Sequence, residues 1–457
     1  MDKKEDAGKE FEQELDSDTR FNFPQMLTER VTLGKKLVIA PEQANWLVCE
    51  EEEYVAFCFF RDGKSIEEVE KLLSNGQKMD SGQVATAVSR LITQIIGKEF
   101  LRGAMVDEGQ MFKIVSLFLT AGCNLRCTTC WKRATIAGPD ECSLDHWKTF
   151  LGAFKEFGGQ IVTLTGGEPM LNLDCFKVAQ HAKELGLKVV LLTNGTLVTK
   201  ENAKALSDWC DEVQISIDGP TAETHESVRG KGTFAKAISA IRELSAYPQC
   251  RLSIAITPTP ATLPSLKSDL RQFATQMKEI SPSIGFRVTR KLMEGRDIPS
   301  MTEEVARVFR KDVLALCDDQ LEKDFSYKID AATIIPNRRV FGCGLASTFS
   351  VWENGNIVIC GYSPDPFGNI KNMGDGHMFF LNVTKALGQL LQSTRVENVH
   401  PCENCDLRYF CGGKCRKENR VAYGDPTICE CDEEYKNEWY ERLVRINPYV
   451  VEPITDI

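Results

Sequence analysis

Histidine is scarce in this chain: five in 457 residues, at positions 146, 181, 225, 377 and 400, with no His-x-x-x-His pair. That excludes the imidazole-based zinc sites of helical metallohydrolases and leaves thiolate as the available soft donor. Uninterrupted apolar runs of membrane-spanning length are missing as well, so no bilayer-crossing helix is expected. The stretch Met1-Asp2-Lys3-Lys4-Glu5-Asp6 is charged and has no apolar signal core, an expectation of the cytoplasm, where thiols stay reduced. Nor is there an excess of basic charge. The 55 Lys and Arg face 65 Asp and Glu, a net of −10, which argues against a general nucleic-acid-binding surface. What remains is a globular composition, 42% hydrophobic and 26% charged, with length enough for two or three domains.

Cysteine, by contrast, is plentiful, with 18 residues. In a reducing compartment, clustered cysteines read as metal ligands more readily than as disulfides. The first cluster is Cys123-Asn124-Leu125-Arg126-Cys127-Thr128-Thr129-Cys130, spaced C-x3-C-x2-C at the end of an apolar strand. Three thiolates hold three irons of a [4Fe–4S] cube and leave the fourth without a protein ligand. A structural zinc or a closed electron-transfer cluster takes four ligands. The competing reading of a bare triplet, a zinc knuckle or buried thiols, is weakened by the motifs at the ends of the next strands.

From Phe112, apolar strands alternate with amphipathic helices. The strands expected are Ile114–Leu119, Ile161–Leu164, Val189–Leu192, Val213–Ile217, Leu252–Ile256 and Gly285–Val288, with helices such as Leu144–Phe157 and Phe234–Ser245 between them. Six such units predict an α/β fold with a parallel sheet and its helices outside, and such folds keep functional groups at the carboxyl ends of their strands. The second strand ends in Thr165-Gly166-Gly167-Glu168-Pro169, the third in Thr193-Asn194-Gly195 and the fourth in Ser216-Ile217-Asp218-Gly219, after which comes His225-Glu226-Ser227-Val228-Arg229-Gly230. Each polar residue here also reads as a strand-end turn or cap.

The cysteine triplet followed one strand later by Gly-Gly-Glu-Pro resembles the radical S-adenosylmethionine (SAM) enzymes. The resemblance implies a partial (β/α)6 TIM-like barrel in which Cys123, Cys127 and Cys130 hold a [4Fe–4S] cluster whose open iron binds S-adenosyl-L-methionine. It implies SAM contacts from Gly166, Gly167 and Glu168 at the methionyl amine, from Ser216 at ribose or carboxylate, and from Arg229 at the carboxylate. Asn194 and Asp218 are lesser candidates. One departure concerns the residue before the third cysteine, aromatic in that family and packed near the adenine; here it is Thr129, with Trp131 one place beyond the cysteine.

A second cysteine set runs Cys343-x11-Gly355-x4-Cys360, then Cys402-x2-Cys405-x5-Cys411-x3-Cys415, then Cys429 and Cys431. This resembles the SPASM domain, the alternative being two zinc ribbons. The resemblance implies auxiliary cluster I on Cys343, Cys360 and Cys415, and auxiliary cluster II on Cys402, Cys405, Cys411 and either Cys429 or Cys431. Cys49, Cys58, Cys142, Cys175, Cys210, Cys250 and Cys317 stand singly and read as packing residues.

Residues 1–20 read as an acidic tail. Then two strands, Arg30–Ile39 and Glu53–Phe59, and two helices are expected. The first helix opens on Ser65 with Glu68 three places on; the second, capped by Asp80 or Ser81, carries the stripe Val84, Ala87, Val88, Leu91, Ile92, Ile95 and Ile96. This winged-helix-like pattern over 21–108 resembles, loosely, the PqqD-like domain that binds a precursor peptide as an added strand at a sheet edge. A DNA-binding winged helix is disfavoured, since residues 1–110 hold 14 basic and 22 acidic residues; a structural cap is the other alternative. The expected organisation is therefore this module, a radical SAM core over 112–325, a SPASM domain over 338–440, and a tail over 441–457. It implies an enzyme that matures a ribosomally made peptide, partnered by that precursor and by an external flavodoxin- or ferredoxin-like electron donor, without nucleic acid or membrane. A sulfatase-type formylglycine maturase or another SPASM oxidoreductase is the alternative. The aspartate those maturases carry after the cysteine matching Cys360 is Gly361 here, and the nearest downstream carboxylate is Asp365.

Overall fold

The computed structural model describes residues 15–447 apart from 77–79, 104–112, 135–137, 139, 290–294, 299–304, 306–307, 310, 314, 317–335, 342–347 and 359–365. Cys317, Cys343, Cys360, Gly361 and Asp365 lie outside the described residues. The chain divides into two units: 1–108 with 333–344 and 392–457, and 109–332 with 345–391. The span 338–440, expected as one domain, is thus shared between them.

The first unit opens with an antiparallel meander of β1 (Thr28–Thr32), β2 (Lys35–Ala40) and β3 (Asn45–Cys49), in that order. The expected strand Arg30–Ile39 is broken because Leu33 and Gly34 take φ of 50° and 73°. This pair of left-handed residues is the tight hairpin turn whose twist suits antiparallel strands. Three helices follow: α1 (Glu51–Arg61), α2 (Ile66–Gly76) and α3 (Ser81–Gly97). The expected strand Glu53–Phe59 is therefore helical. Its aromatic and β-branched content favours a strand, but Glu50 and Glu53 form a reciprocal cap, and buried Ala56, Phe57 and Phe60 recur at helical spacing. The caps expected at Ser65–Glu68 and at Asp80 are both made.

Both faces of this small sheet are buried, which explains why β2 and β3 are apolar runs instead of alternating ones. Val38, Ala40, Leu47 and Cys49 pack against α1–α3. Leu37, Ile39, Trp46 and Val48 pack against Leu407, Phe410 and the apolar side of the helix Glu433–Arg445. The outer edge of β3 is filled as well. The Val48 N–H donates to Gln94 Oε1 at 3.1 Å and Gln94 Nε2 donates to the Val48 carbonyl at 2.8 Å, so one carboxamide stands in for a neighbouring strand. Lys98 Nζ donates to the Trp46 carbonyl at 2.8 Å and lies 4.2 Å from the Trp46 ring centroid. Gln94 and Lys98 are both buried, and that burial pushes the lysine pKa well below its usual range. Since the Val48 groups point outward, the register (Leu37 opposite Val48, Arg30 opposite Leu37) leaves the outward groups of β1 at Glu29 and Val31, both exposed.

The second unit is built on a nine-stranded sheet. Its six expected strands are β4 (Ile114–Phe118), β5 (Ile161–Thr165), β6 (Lys188–Thr193), β7 (Glu212–Ser216), β8 (Arg251–Ile256) and β9 (Gly285–Val288), all parallel and in that order. Between them run α4 (Leu144–Glu156), α5 (Cys175–Glu184), α6 (Lys200–Trp209), α7 (Ala222–Arg229) and α8 (Thr233–Ser245), and α9 (Leu263–Ile280). Three further strands come from beyond the expected barrel: β10 (Thr348–Val351) pairs parallel to β4, and β11 (Asn356–Val358) and β12 (Gly368–Asn369) extend the sheet antiparallel. Alternation along the strands separates two faces. Val162, Leu164, Val189, Leu191, Val213 and Ile215 are fully buried in the core, whereas Thr163, Thr165, Gln214 and Ser216 are only half-buried.

Substituting Gln94 with Leu leaves the Val48 N–H and carbonyl buried without partners, and each such orphan costs about 1–3 kcal/mol. The expected result is a lower thermal unfolding temperature for the Gln94→Leu chain than for Thr93→Ala, a change at the exposed neighbouring position.

Candidate functional site

The cysteine loop Cys123–Cys130 follows β4, and the Gly166-Gly167-Glu168 turn follows β5, at the same end of the sheet. The strand ladder continues into the two loops. Leu119 N donates to the Thr165 carbonyl at 2.9 Å, Gly167 N to Thr120 at 2.8 Å and Glu168 N to Gly122 at 2.8 Å. Both glycines are dictated by this approach. A Cβ on Gly166, which sits at φ 144°, would lie 2.5 Å from the Thr120 carbonyl oxygen, and one on Gly167 would lie 2.1 Å from that of Gly122. The close backbone neighbour of the glycine pair is Thr120–Gly122, the segment that leads into the cysteine loop.

Glu168 is fully buried. Its carboxylate accepts the Thr193 hydroxyl at 2.7 Å, the Asn194 N–H at 2.8 Å and the Met170 N–H at 3.3 Å, so it staples the end of β5 to the end of β6. Burial raises its pKa, and these hydrogen bonds oppose the rise. Asn194 in turn donates from Nδ2 to Asn124 Oδ1 at 2.9 Å, within the cysteine loop, and Asn124 Nδ2 donates to Thr196 Oγ1 at 2.8 Å. Glu141 secures the entry to the loop by accepting the Thr120 hydroxyl at 2.8 Å and the Ala121 N–H at 2.9 Å. Asn124 and Glu141 were not singled out from the sequence. Only Asn124 carried a signal, its place between two cysteines.

On the other side of the loop, Thr128 N donates to the Val228 carbonyl at 3.0 Å, which brings the end of α7 against it. Arg229, the last residue of α7, places Nη1 4.0 Å from Cys127 Sγ and donates from Nε to Asp218 Oδ2 at 2.7 Å. Asp218 is fully buried and also accepts the Thr257 N–H at 2.9 Å. Burial opposes the charge of Arg229, but Asp218 and Cys127 outweigh it and hold the pKa above the ordinary arginine value. His225 accepts the Asp218 N–H on Nδ1 at 3.3 Å; burial and then Arg229 push its pKa down to about 4. Ser216 ends β7 half-buried, and its hydroxyl bonds to no other described residue. Thr129 lies under Gly295, whose Cβ would come 2.5 Å from the Thr128 carbonyl, and Trp131 packs edge-on against Phe118 with ring centroids 5.8 Å apart.

The donor set suits a three-cysteine cluster. Cys123, Cys127 and Cys130 share one loop and interact electrostatically, and a guanidinium stands beside them to offset thiolate charge. Among the described residues no three His, Cys, Asp or Glu side chains converge on a single ion. Burial raises the pKa of Cys123 and of Cys127, so a metal bound there would displace their protons.

The first unit gathers the later cysteines. Cys402 and Cys431 lie near Cys429 and raise its pKa on balance, and Cys405, Cys429 and Cys431 help raise that of buried Cys411. Asp406, beside Cys405, accepts the Thr28 hydroxyl at 3.1 Å and the Tyr440 hydroxyl at 2.9 Å, which fixes this loop to β1 and to the helix Glu433–Arg445. Of the single cysteines, Cys49, Cys142, Cys175, Cys210 and Cys250 are buried and Cys58 is half-buried.

A methyl at Gly167 must displace the cysteine loop, whereas Gly152, in the middle of α4, has open space around it. Gly167→Ala should therefore reduce the iron bound on anaerobic reconstitution. Gly152→Ala should bind iron normally and be more stable by about 0.5–1 kcal/mol, because alanine is the better helix former.

Residues 117–259 match the Radical SAM superfamily. Over 135 residues the chain is 38% identical to an AdoMet-dependent heme synthase of Methanosarcina barkeri, covering 29% of this chain and 39% of that protein. Over 143 residues it is 34% identical to the mycofactocin maturase MftC of Mycolicibacterium smegmatis, covering 30% of this chain and 36% of that one. The chain thus spans well under half the length of these relatives. Its fold is like that of Streptococcus suis SuiB bound to the precursor peptide SuiA, with a TM-score of 0.55 at 14% identity over 91% of this chain and 99% of the other. No helix among the described residues is long and apolar enough to cross a membrane. With the cysteine loop, the glycine turn and the parallel sheet in these positions, residues 117–259 are a radical SAM domain.

Proposed function

We propose that the chain is a radical SAM maturase of a ribosomally synthesised peptide, removing hydrogen from a bound precursor residue to leave a thioether, a carbon–carbon crosslink or an oxidised residue. The observation that carries the enzyme class is the three-thiol loop lying on the Gly166–Glu168 turn at the carboxyl end of the parallel sheet. The peptide class is supported by the maturase among the relatives and by the likeness to a fold that holds a precursor peptide. When bound, the cluster and SAM supply a 5′-deoxyadenosyl radical.

The protein's part is to hold and balance these groups. Cys123, Cys127 and Cys130 ligate three irons. Ser216 and Arg229 address the ribose and carboxylate of SAM, and Glu168 keeps a negative charge near the methionyl amine. Cys402, Cys405, Cys411 and Cys429 or Cys431, together with Cys343, Cys360 and Cys415, would hold auxiliary clusters, which would supply an acceptor for the electron left on the substrate. An external flavodoxin- or ferredoxin-like donor would supply the electron for the first cluster.

Precursor recognition by strand addition falls to β1. The edge of β3 is filled by Gln94 and Lys98, and opening it would uncover Trp46 and Val48, whereas Glu29 and Val31 turn their backbone groups outward. Deleting the amino-terminal module is a poor test of this, because Leu407, Phe410 and Leu443 would lose their cover. A proline at Val31 removes one outward N–H while leaving the β1–β2 ladder intact.

Three full cubes correspond to about 12 irons per chain after anaerobic reconstitution. Changing Cys123, Cys127 and Cys130 together to Ala should remove about a third of that iron and all cleavage of SAM; zinc in place of iron, or unchanged cleavage, would sink the assignment. In Val31→Pro, SAM cleavage should persist while mass spectrometry finds little modified precursor. Normal processing by that variant would refute recognition at β1.

A further inference from the structure

Arg229 has more donors than a carboxylate of SAM can use. Of its five N–H groups, the one on Nε is committed to Asp218 at 2.7 Å, and Nη1 points at Cys127 Sγ from 4.0 Å. This arrangement is enclosed. Asp218 is fully buried and anchored to the Thr257 N–H. His225 accepts the Asp218 N–H and is held neutral by burial and by Arg229. The guanidinium is thus oriented by its direct bond to Asp218 and reaches Cys127 most closely, with Cys123 and Glu168 feeling its charge from further off.

We infer that Arg229 tunes the reduction potential of the SAM-site cluster through an N–H···S interaction with Cys127, and that Asp218 is the positioning residue that aims it. The inference rests on Cys123, Cys127 and Cys130 being cluster ligands. Reduction transfers one electron from a low-potential flavin or iron–sulfur donor to the cluster, with no proton moved, so the site becomes one charge more negative. A cation and an N–H donor at a ligating sulfur favour that reduced state, since cluster potentials follow net charge and hydrogen bonds to sulfur. Arginine suits the task because its rigid fork engages Asp218 with one nitrogen while presenting another to the sulfur; lysine has a single ammonium and no such fork.

The test uses the full-length reconstituted protein and a potentiometric titration of the reduced-cluster EPR signal that changes when SAM is added. Iron content and the presence of that signal report on the cluster assignment separately from the potential. In Arg229→Gln the midpoint should move to more negative potential, and in Arg229→Lys it should move the same way by less. Asp218→Asn removes a negative charge, which by itself would raise the midpoint; if Asp218 aims Arg229, the midpoint falls instead. An unchanged or raised midpoint in Arg229→Gln with full iron would overturn the tuning role. A raised midpoint in Asp218→Asn would overturn the positioning role. If Arg229→Gln fails to hold the cluster, Arg229→Lys carries the test, because it keeps the buried charge, and an unchanged midpoint there overturns the proposal.

Discussion

The end of the barrel depends on two residues having no side chain. Gly166 and Gly167 let the turn after β5 lie directly on Thr120 and Gly122, where a Cβ would collide with backbone oxygen. The β4–β5 ladder thereby continues past the strands into the loops, and the cysteine loop begins as an extension of the sheet. Once the turn is seated, Glu168 points inward and meets Thr193 and Asn194 from β6. Asn194 reaches back to Asn124 in the loop, so loop, turn and strand end form a closed ring of hydrogen bonds. Each bond is worth only about 1 kcal/mol net, yet breaking one inside a buried network exposes its partner's full desolvation cost of about 1–3 kcal/mol. The loop is pre-shaped by this ring before any metal arrives.

A different economy governs the first unit. An antiparallel sheet commonly leaves one face wet, but neither face of this three-stranded sheet is. The helices α1–α3 cover one side, and Leu407, Phe410, Tyr440, Leu443 and Val444 cover the other. The loop bearing Cys402, Cys405 and Cys411 is consequently held by the amino-terminal sheet through Asp406, and through buried Arg408, which pairs with Glu42. Segments some 360 residues apart in sequence, Glu42 and Arg408 being 366 apart, share one core.

What was legible in the sequence was local. Cysteine spacings, the Gly-Gly-Glu-Pro turn, the six parallel strands and the caps at Ser65 and Asp80 are written in neighbouring residues. The helix over 51–61 was misread because Tyr54, Val55, Phe57 and Phe59 carry strand-forming character, while the cap at Glu50 and the spacing of Ala56, Phe57 and Phe60 decide the outcome. The placement of β10 beside β4 could not be read, since a four-residue parallel strand has no pattern of its own and its partner lies more than 200 residues earlier; Thr348 pairs with Ile114. The partners of Gln94, Glu168 and Asp218 were hidden for the same reason. A buried polar side chain announces that it needs a partner but not where in the chain that partner lies.

At the barrel end one guanidinium, Arg229, stands among Asp218, Cys127, Cys123 and Glu168. In the metal-free chain, burial raises the pKa of Cys123 and Cys127 and keeps these thiols protonated, and His225 is neutral, so Arg229 is matched by Asp218. A metal held by these thiols would displace their protons, and the resulting negative charge would meet the guanidinium beside Cys127. An arginine as enclosed as Arg229, its side chain 13% exposed, would be a poorly compensated charge without Asp218, and a cysteine loop without Arg229 would face its thiolates with none. Asp218 thus answers a folding requirement that the cluster, arriving later, cannot meet. This gives a physical reason for a carboxylate to sit so close to a site destined for negative charge.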